Sequence, residues 1–296
     1  MFLGFLTALP GLMASVTAAA KGLPDLAVSN AMGGIAVQTT ALAIADIAHR
    51  EANLEHAAAS VPNMMQATIL IALMVLVLCG FSAPDVTVGH IHPVTLLLLA
   101  TAAGGFYLVL GTRDAPMWLP THTDETVVDE PLQANRRRSL GWMLAGLVFT
   151  AGLTGLSGAL VAEAAENIVD KTGMSPALGG GLLTALATAL PALLTTAAAV
   201  GPSALTLAVS DIVGGNLFDV LFVAAADIAY WQGSIYHAES VGMREVFLTS
   251  FTVLLNVILL AGLIFRQKQG PGNIGFESVL MLLLSMGGFL VLALIL

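Results

Sequence analysis

The chain has 296 residues, of which 57% are hydrophobic and 10% are charged, and its mean hydropathy is +0.90. This balance excludes an ordinary soluble globular domain, in which about 25% of residues are charged. The net charge of −9 argues against a nucleic-acid partner, and the lone Cys79 excludes an intrachain disulfide and a thiolate metal cluster.

Nine stretches are long and apolar enough to cross a bilayer, since a helix of about 20 residues spans the hydrocarbon core. They lie near 2-20, 23-48, 64-82, 93-111, 140-165, 176-200, 203-230, 245-266 and 276-296. The first stretch carries Pro10 and no basic n-region, unlike a signal peptide. The sequence therefore predicts an all-α polytopic membrane protein whose main partner is the lipid bilayer.

Basic residues predict the orientation of these spans. If the spans alternate, seven of the ten lysines and arginines fall in loops on one side: Arg50, Arg113, Arg136, Arg137, Arg138, Arg266 and Lys268. Cytoplasmic loops carry the excess of Lys and Arg, so this side is predicted to be cytoplasmic. The longest connection, 112-139, is then a cytoplasmic linker between an N-terminal half, 1-111, and a C-terminal half, 140-296.

An internal repeat is the most informative feature of the sequence. Residues 7-48 and 188-229 align without a gap at an offset of 181, with 17 identities in 42 positions. The matches include the Thr-Ala-Leu-Pro segments, the Gly-Gly pairs and an aspartate near the end of each copy. Five crossings separate the two copies, so they enter the membrane from opposite faces and form an inverted repeat. Such repeats are typical of secondary transporters, whose sites lie near the midplane.

Polar side chains inside the repeats mark the candidate cation site. Asp219 is the strongest candidate, because a carboxylate within a bilayer is costly and faces a partner or a water-filled pathway. Gln38 occupies the equivalent position in the first copy. Thr7 and Thr188 each lie about one turn before a matched proline, which frees backbone carbonyls in its helix.

Other ionisable and polar positions have open or structural interpretations. Asn30 and the equivalent Asp211 belong either to a hydrogen-bond network or to the site. Asp46 and Asp227 lie close to helix ends, where a capping or interface role is expected. A further acidic group follows one helical face and either lines an entry vestibule or, as we expect, is a solvated helix end: Glu163, Glu166 and Asp170. The histidines have no zinc-like spacing, so no cofactor is predicted.

The repeat motifs resemble the α-repeats of the sodium/calcium exchanger family within the cation/calcium antiporter superfamily. In the first copy the resemblance rests on Thr-Ala-Leu-Pro, residues 25-30 and the Gly-Gly pair that follows them. In the second copy it rests on the matching motif, which ends at residues 214-219. It implies ten helices in two inverted halves of five, and exchange of a cation against sodium or protons by alternating access. The first helix of that plan is expected to be missing from this chain.

The chain departs from the family pattern at the positions that bind the divalent ion. The family has an acidic residue after each proline of the motif, whereas this sequence has Gly11 and Ala192. The family's later ion-binding positions correspond to Gln38 and Asp219. A serine of the family motif corresponds to Gly34 in the first copy and Gly215 in the second. The resemblance thus implies a site with one formal charge, whereas calcium usually takes six to eight oxygens with several carboxylates.

Two hypotheses follow. The first is a secondary cation antiporter with Thr7, Gln38, Thr188 and Asp219 as the central site, carrying a monovalent ion or a proton rather than calcium. The second is a transport-inactive exchanger fold that serves as a membrane scaffold or regulator. An enzyme is not expected, because no nucleophile with a base is found inside the spans.

Overall fold

The structure, a computed structural model, describes residues 2–48, 53–114, 118–121, 140–173, 183–200, 205–268, 270 and 274–294. Nine long helices and one short helix, α3, run in chain order through these residues. Their bounds are α1 Phe2–Ala20, α2 Pro24–Ala48, α3 Leu54–Ala57, α4 Val61–Ser82, α5 Pro93–Asp114, α6 Leu140–Thr172, α7 Ala185–Val200, α8 Leu205–Ala229, α9 Met243–Phe265 and α10 Phe276–Leu294.

These bounds confirm the helices predicted from hydropathy to within a few residues at most ends. The largest difference is α7, which begins at Ala185 rather than near 176, where most of the preceding residues lie outside the described part of the chain. α6 continues to Thr172 because its second half carries a polar, solvated face. Within the described residues, six helices are long and apolar enough to span a membrane, and α1 and α7 contain shorter apolar stretches. Most of the predicted linker, together with Arg50 and residues 174–182, lies outside the described residues.

Four helices form the centre of the molecule. α1, α2, α7 and α8 each contact the other three, while α4 packs against α8 from outside and α9 packs against α2. The shared core consists of fully buried aliphatic and methionine side chains, including Met32, Ile35, Leu70, Ile212 and Leu217. Large apolar side chains on α5, α6 and α10 are exposed, as expected for helices that face lipid.

The internal repeat is visible in the helix bounds themselves. α2 and α8 both have 25 residues, and adding the offset of 181 to the ends of α2 gives the ends of α8. The two helices are antiparallel. The start of α8 contacts the start of α4, through Asn63 Nδ2 and the carbonyl of Thr206, on the side where α2 ends. The repeats are therefore inverted.

Each copy ends in the same loop clamp, built around an aspartate. Asp227 accepts hydrogen bonds from the backbone N–H of His92 at 2.9 Å, the Thr95 hydroxyl at 2.6 Å and the N–H of Ile235 at 2.9 Å. The equivalent Asp46 accepts from the N–H of Gly275 at 3.0 Å. These contacts confirm the capping and interface role expected for both aspartates.

A histidine in each clamp extends the repeat beyond the segment recognised in the sequence. His237 Nε2 donates to the carbonyl of Ala83 at 2.8 Å, and His56 Nδ1 donates to the carbonyl of Arg266 at 2.7 Å. Ala83 and Arg266 are the residues that cap the ends of α4 and α9. The same device therefore holds a helix end on each face of the molecule.

Candidate functional site

Asp219 and Gln38 meet at the centre of the helix bundle. Gln38 Nε2 donates to Asp219 Oδ2 at 2.6 Å, and the side chains are 3% and 5% exposed respectively. Within the described residues Asp219 has no basic partner; the ion pairs found there are Lys21 with Glu166 and His237 with Asp85. The carboxyl group therefore lies in a buried, polar but uncharged environment.

The position of this pair reflects the repeat symmetry. The two residues are equivalent, since they are 181 positions apart, and each is the fifteenth residue of its 25-residue helix. Equivalent residues of an inverted repeat touch only where the symmetry axis passes between them. The contact therefore lies on that axis, in the middle of both spans. The Oε1 atom of Gln38 is buried and has no protein partner among the described residues, so this oxygen is available to coordinate a cation.

Thr188 does not contact Asp219 but joins a network that connects the two repeats. Its hydroxyl donates to Asn30 Oδ1 at 3.3 Å and also bonds carbonyls of its own helix. Asn30 Nδ2 donates to Ser15 Oγ at 2.8 Å and to the carbonyl of Gly11 at 3.0 Å. Asn30 thus holds the backbone next to Pro10, and it belongs to a network.

Thr7 lies in the buried part of α1, one turn before Pro10, and α1 continues as a helix through that proline. The repeat equivalents of Thr188 and Asn30 are Thr7 and Asp211, and both of these side chains are also buried. The structure thus places both threonines inside the bundle, and among the described residues the hydrogen bond to Asp219 comes from Gln38.

A second polar chain approaches the same region from α9 and is not evident from the repeat motifs alone. Asn216 Nδ2 donates to Thr39 Oγ1 at 3.3 Å, and Thr39 Oγ1 donates to Asn256 Oδ1 at 3.4 Å. All three side chains are fully buried. Asn256 lies in an otherwise apolar stretch of its span, and that isolated amide is the signal that sequence reasoning missed.

The positions that carry acids in the motif are filled differently here. A Cβ atom added to Gly11 would lie 2.6 Å from the ring of Phe222, so this ring occupies the space that a side chain would need. Ala192 is buried within α7. A Cβ at Gly34 would lie 3.8 Å from Asp219 Oδ2, so Gly34 borders the site with room for a small side chain.

The acidic face of α6 lies away from this centre. Glu166 forms an ion pair with Lys21 at 2.7 Å, and Glu163 and Asp170 are exposed. The hydrogen bond to Glu166 raises the pKa of Lys21. This group is therefore a solvated helix end that also ties α6 to the loop between α1 and α2.

Comparison with known proteins identifies the architecture. The sequence model of the sodium/calcium exchanger protein family matches residues 142–295, more than half of the chain. A comparison with curated proteins gives no match.

Solved structures match over almost the whole chain. The sodium-calcium exchanger NCX_Mj, soaked with Na⁺ and Sr²⁺, is 15% identical with a TM-score of 0.62, and the match covers 98% of this chain and 84% of that one. An H⁺/Ca²⁺ exchanger, CAX, is 14% identical with a TM-score of 0.63, covering 97% and 76%. Native YfkE is 13% identical with a TM-score of 0.60, covering 99% and 88%. At these identities the likeness shows a shared fold.

Proposed function

The chain belongs to the sodium/calcium exchanger protein family, and on that premise we propose that it is a secondary active cation antiporter working by alternating access in the plasma membrane. Members of this family are multi-pass transporters rather than enzymes, and their cations are substrates rather than cofactors. The two halves, 1-111 and 140-296, each contribute one repeat to the transport site.

The proposed site is centred on Asp219, with Gln38, Thr7 and Thr188 as neutral ligands. The observation that carries this assignment is the contact between Gln38 and Asp219 on the axis between the two inverted repeats. Sites at the interface of two inverted repeats become accessible from either side when one repeat rocks against the other. Asp219 provides the charge, and Gln38 Oε1 provides an oxygen without a protein partner in the described part of the chain.

The charge of this site favours a monovalent cation or a proton over calcium. A single carboxylate neutralises one positive charge, whereas a calcium ion would keep a net charge in a region that excludes water. At Gly11 the ring of Phe222 also occupies the space in which an acidic side chain would begin. A sodium ion and a proton both fit the formal charge, and they compete for the same carboxylate.

A flux assay in proteoliposomes tests the proposal. The full-length protein is reconstituted, and sodium-gradient-driven proton movement, proton-driven sodium uptake and calcium uptake are measured. We expect Asp219→Asn to abolish exchange, because the neutral amide keeps the side-chain shape but cannot balance a cation. Asp170→Asn, on the exposed end of α6, is the matched control and should transport at the parental rate. Parental flux in Asp219→Asn would contradict the assignment.

The absence of both motif acids also favours a second candidate, a transport-inactive scaffold or regulator. This candidate predicts that no gradient of sodium, protons or calcium drives uptake in the same vesicles, for the parent as well as for Asp219→Asn. Any coupled flux by the parent protein that exceeds protein-free vesicles eliminates it.

A further inference from the structure

Two buried carboxyl groups lie close together at the predicted cytoplasmic end, away from the central site. Asp46 is fully buried near the end of α2, and Glu277 is 3% exposed in the first turn of α10. The residue between them is Gly275, whose N–H donates to Asp46 Oδ2 at 3.0 Å. Asp46 lies two turns beyond Gln38 along α2, roughly 12 Å at the rise of an α-helix, so this cluster is distinct from the transport site.

Two oxygen atoms of this cluster have no partner among the described residues. Glu277 Oε1 and Asn53 Oδ1 are both buried, and neither receives a hydrogen bond there. A Cβ atom built on Gly275 would lie 2.9 Å from Glu277 Oε1 and 3.3 Å from Asn53 Nδ2, so both side chains border the space beside this glycine. Buried polar atoms are normally paired, because an unpaired one costs about 1–3 kcal/mol.

Comparison with the other end of the molecule shows that the loop clamp alone does not require these groups. In the equivalent clamp, the N–H of His92 donates to Asp227, as that of Gly275 donates to Asp46. Two positions after His92 stands Val94, where the first clamp has Glu277, and the repeat equivalent of Asn53 is Ser234. That clamp is complete with one carboxylate. Glu277 and Asn53 therefore add a second charge and an amide oxygen to a clamp that closes without them.

Main-chain hydrogen bonds hold the residues around this cluster. Arg266 donates to the main-chain carbonyls of Thr121 and His56. Asn53 is fixed by its own donors, since its Nδ2 bonds the carbonyl of Gln267 at 2.7 Å and its N–H bonds that of Lys268 at 3.3 Å. With Nδ2 committed, Oδ1 is the free end of the amide.

From this arrangement we propose that Asp46, Glu277 and Asn53 form a binding site for a hard divalent cation, with Ca²⁺ preferred over Mg²⁺. Carboxylate and amide oxygens are the donors that such cations take, and two carboxylates balance the charge. In the described parts of the chain no three His, Cys, Asp or Glu side chains form a metal cluster, and here the third donor is an amide. Because the oxygens are buried, the ion must lose most of its water, which Ca²⁺ does more readily than Mg²⁺.

A bound ion at this site would join three segments that are otherwise connected by hydrogen bonds. Asp46 belongs to α2, Asn53 precedes α3, and Glu277 begins α10. Because α2 also carries Gln38, occupancy would stabilise the end of a helix that lines the transport site.

Equilibrium dialysis of ⁴⁵Ca²⁺ against purified full-length protein in detergent, at constant ionic strength in KCl, tests the proposal. The background is Asp219→Asn, so that the central site makes no contribution and failure of the transport proposal leaves this measurement intact. We expect saturable binding of one Ca²⁺ per chain, weakly displaced by Mg²⁺. Glu277→Gln should weaken the binding at least about tenfold, because it removes one of the two charges.

Gly275→Ala is a second, steric variant that keeps both charges and should also weaken binding, because its methyl group would fill the space beside Glu277 Oε1. Glu239→Gln, an exposed glutamate at the other end of the molecule, should bind as the background does. Absence of saturable Ca²⁺ binding in the background overturns the proposal, as does unchanged affinity in folded Glu277→Gln and Gly275→Ala.

Discussion

The side chain that faces Asp219 is an amide rather than a second carboxyl group. Gln38 Nε2 donates to the carboxylate and thereby fixes the orientation of its own Oε1, which points away from that hydrogen bond. The pair thus presents one negative charge and one neutral oxygen to an ion. Replacing this amide is the smallest change that alters the charge of the centre without altering its shape.

We expect Gln38→Glu to shift ion preference toward divalent cations. The change places a second carboxyl group against Asp219, and two carboxylates balance a dication where one does not. The ratio of Ca²⁺ to Na⁺ flux in proteoliposomes should rise at least about tenfold. Gln38→Leu, which has no donor or acceptor, is the control and should lose flux of both ions. An unchanged flux ratio in Gln38→Glu would place the transported ion away from this pair.

The contact between α1 and α6 depends on a glycine at the point where α1 contains its proline. A Cβ atom at Gly158 would collide with the backbone carbonyl of Pro10 and lie 2.8 Å from its Cα. Backbone atoms of a helix cannot rotate away as a side chain can, so the collision must separate the helices. Small residues have this role throughout membrane proteins, where close backbone approach provides much of the packing.

Gly158→Ala should therefore destabilise the protein, at a cost of about 1–3 kcal/mol for overpacking. Gly152→Ala is the matched control on the same helix, because a Cβ there meets nothing within 4 Å. Thermal unfolding of both variants in detergent measures the difference. We expect a lower midpoint for Gly158→Ala and no decrease for Gly152→Ala. Equal midpoints would show that α1 and α6 do not pack as closely as described.

Element boundaries were predictable because one physical requirement determines them. Only a run of about 20 apolar residues satisfies the backbone inside a bilayer, and the predicted ends of α1, α2 and α5 coincide with or lie close to the observed ones. The matched register of the repeat also indicated the equivalence of Gln38 and Asp219, although their contact required the inverted packing.

Polar contacts between distant elements were not predictable in the same way. Thr188 stays a predicted ligand, and the sequence did not indicate that its hydroxyl bonds Asn30 across 158 residues. The partners of Asp227 likewise come from residues 92, 95 and 235. Such partners depend on which helix faces meet, and hydropathy contains no information about that. Glu277 carries no such signal in the sequence, because an acid at a helix start is usually a solvated cap.

At the scale of the whole molecule, contacts between loops agree with the alternation of spans. Lys21 after α1 pairs with Glu166 near the end of α6, and His90 before α5 bonds the carbonyl of Ile228 at the end of α8. At the other end, Asn53 bonds Gln267, and Arg266 bonds Thr121. The two sets of loops do not mix in any of these contacts, as an odd number of crossings between repeats requires.

Cysteine labelling in intact cells should reveal this arrangement directly. In a Cys79→Ser background, we expect Val88→Cys to react with a membrane-impermeant maleimide, because Val88 is 67% exposed in the loop between α4 and α5 on the predicted outer side. Leu119→Cys is equally exposed, at 66%, but follows α5 on the predicted cytoplasmic side, so it should react only after the cells are permeabilised. The matched exposure makes the membrane itself the only barrier that separates the two positions. Labelling of both in intact cells would contradict the alternation, whereas the reverse pattern would keep the inverted repeat and invert the orientation, moving the Asp46 and Glu277 cluster to the outside.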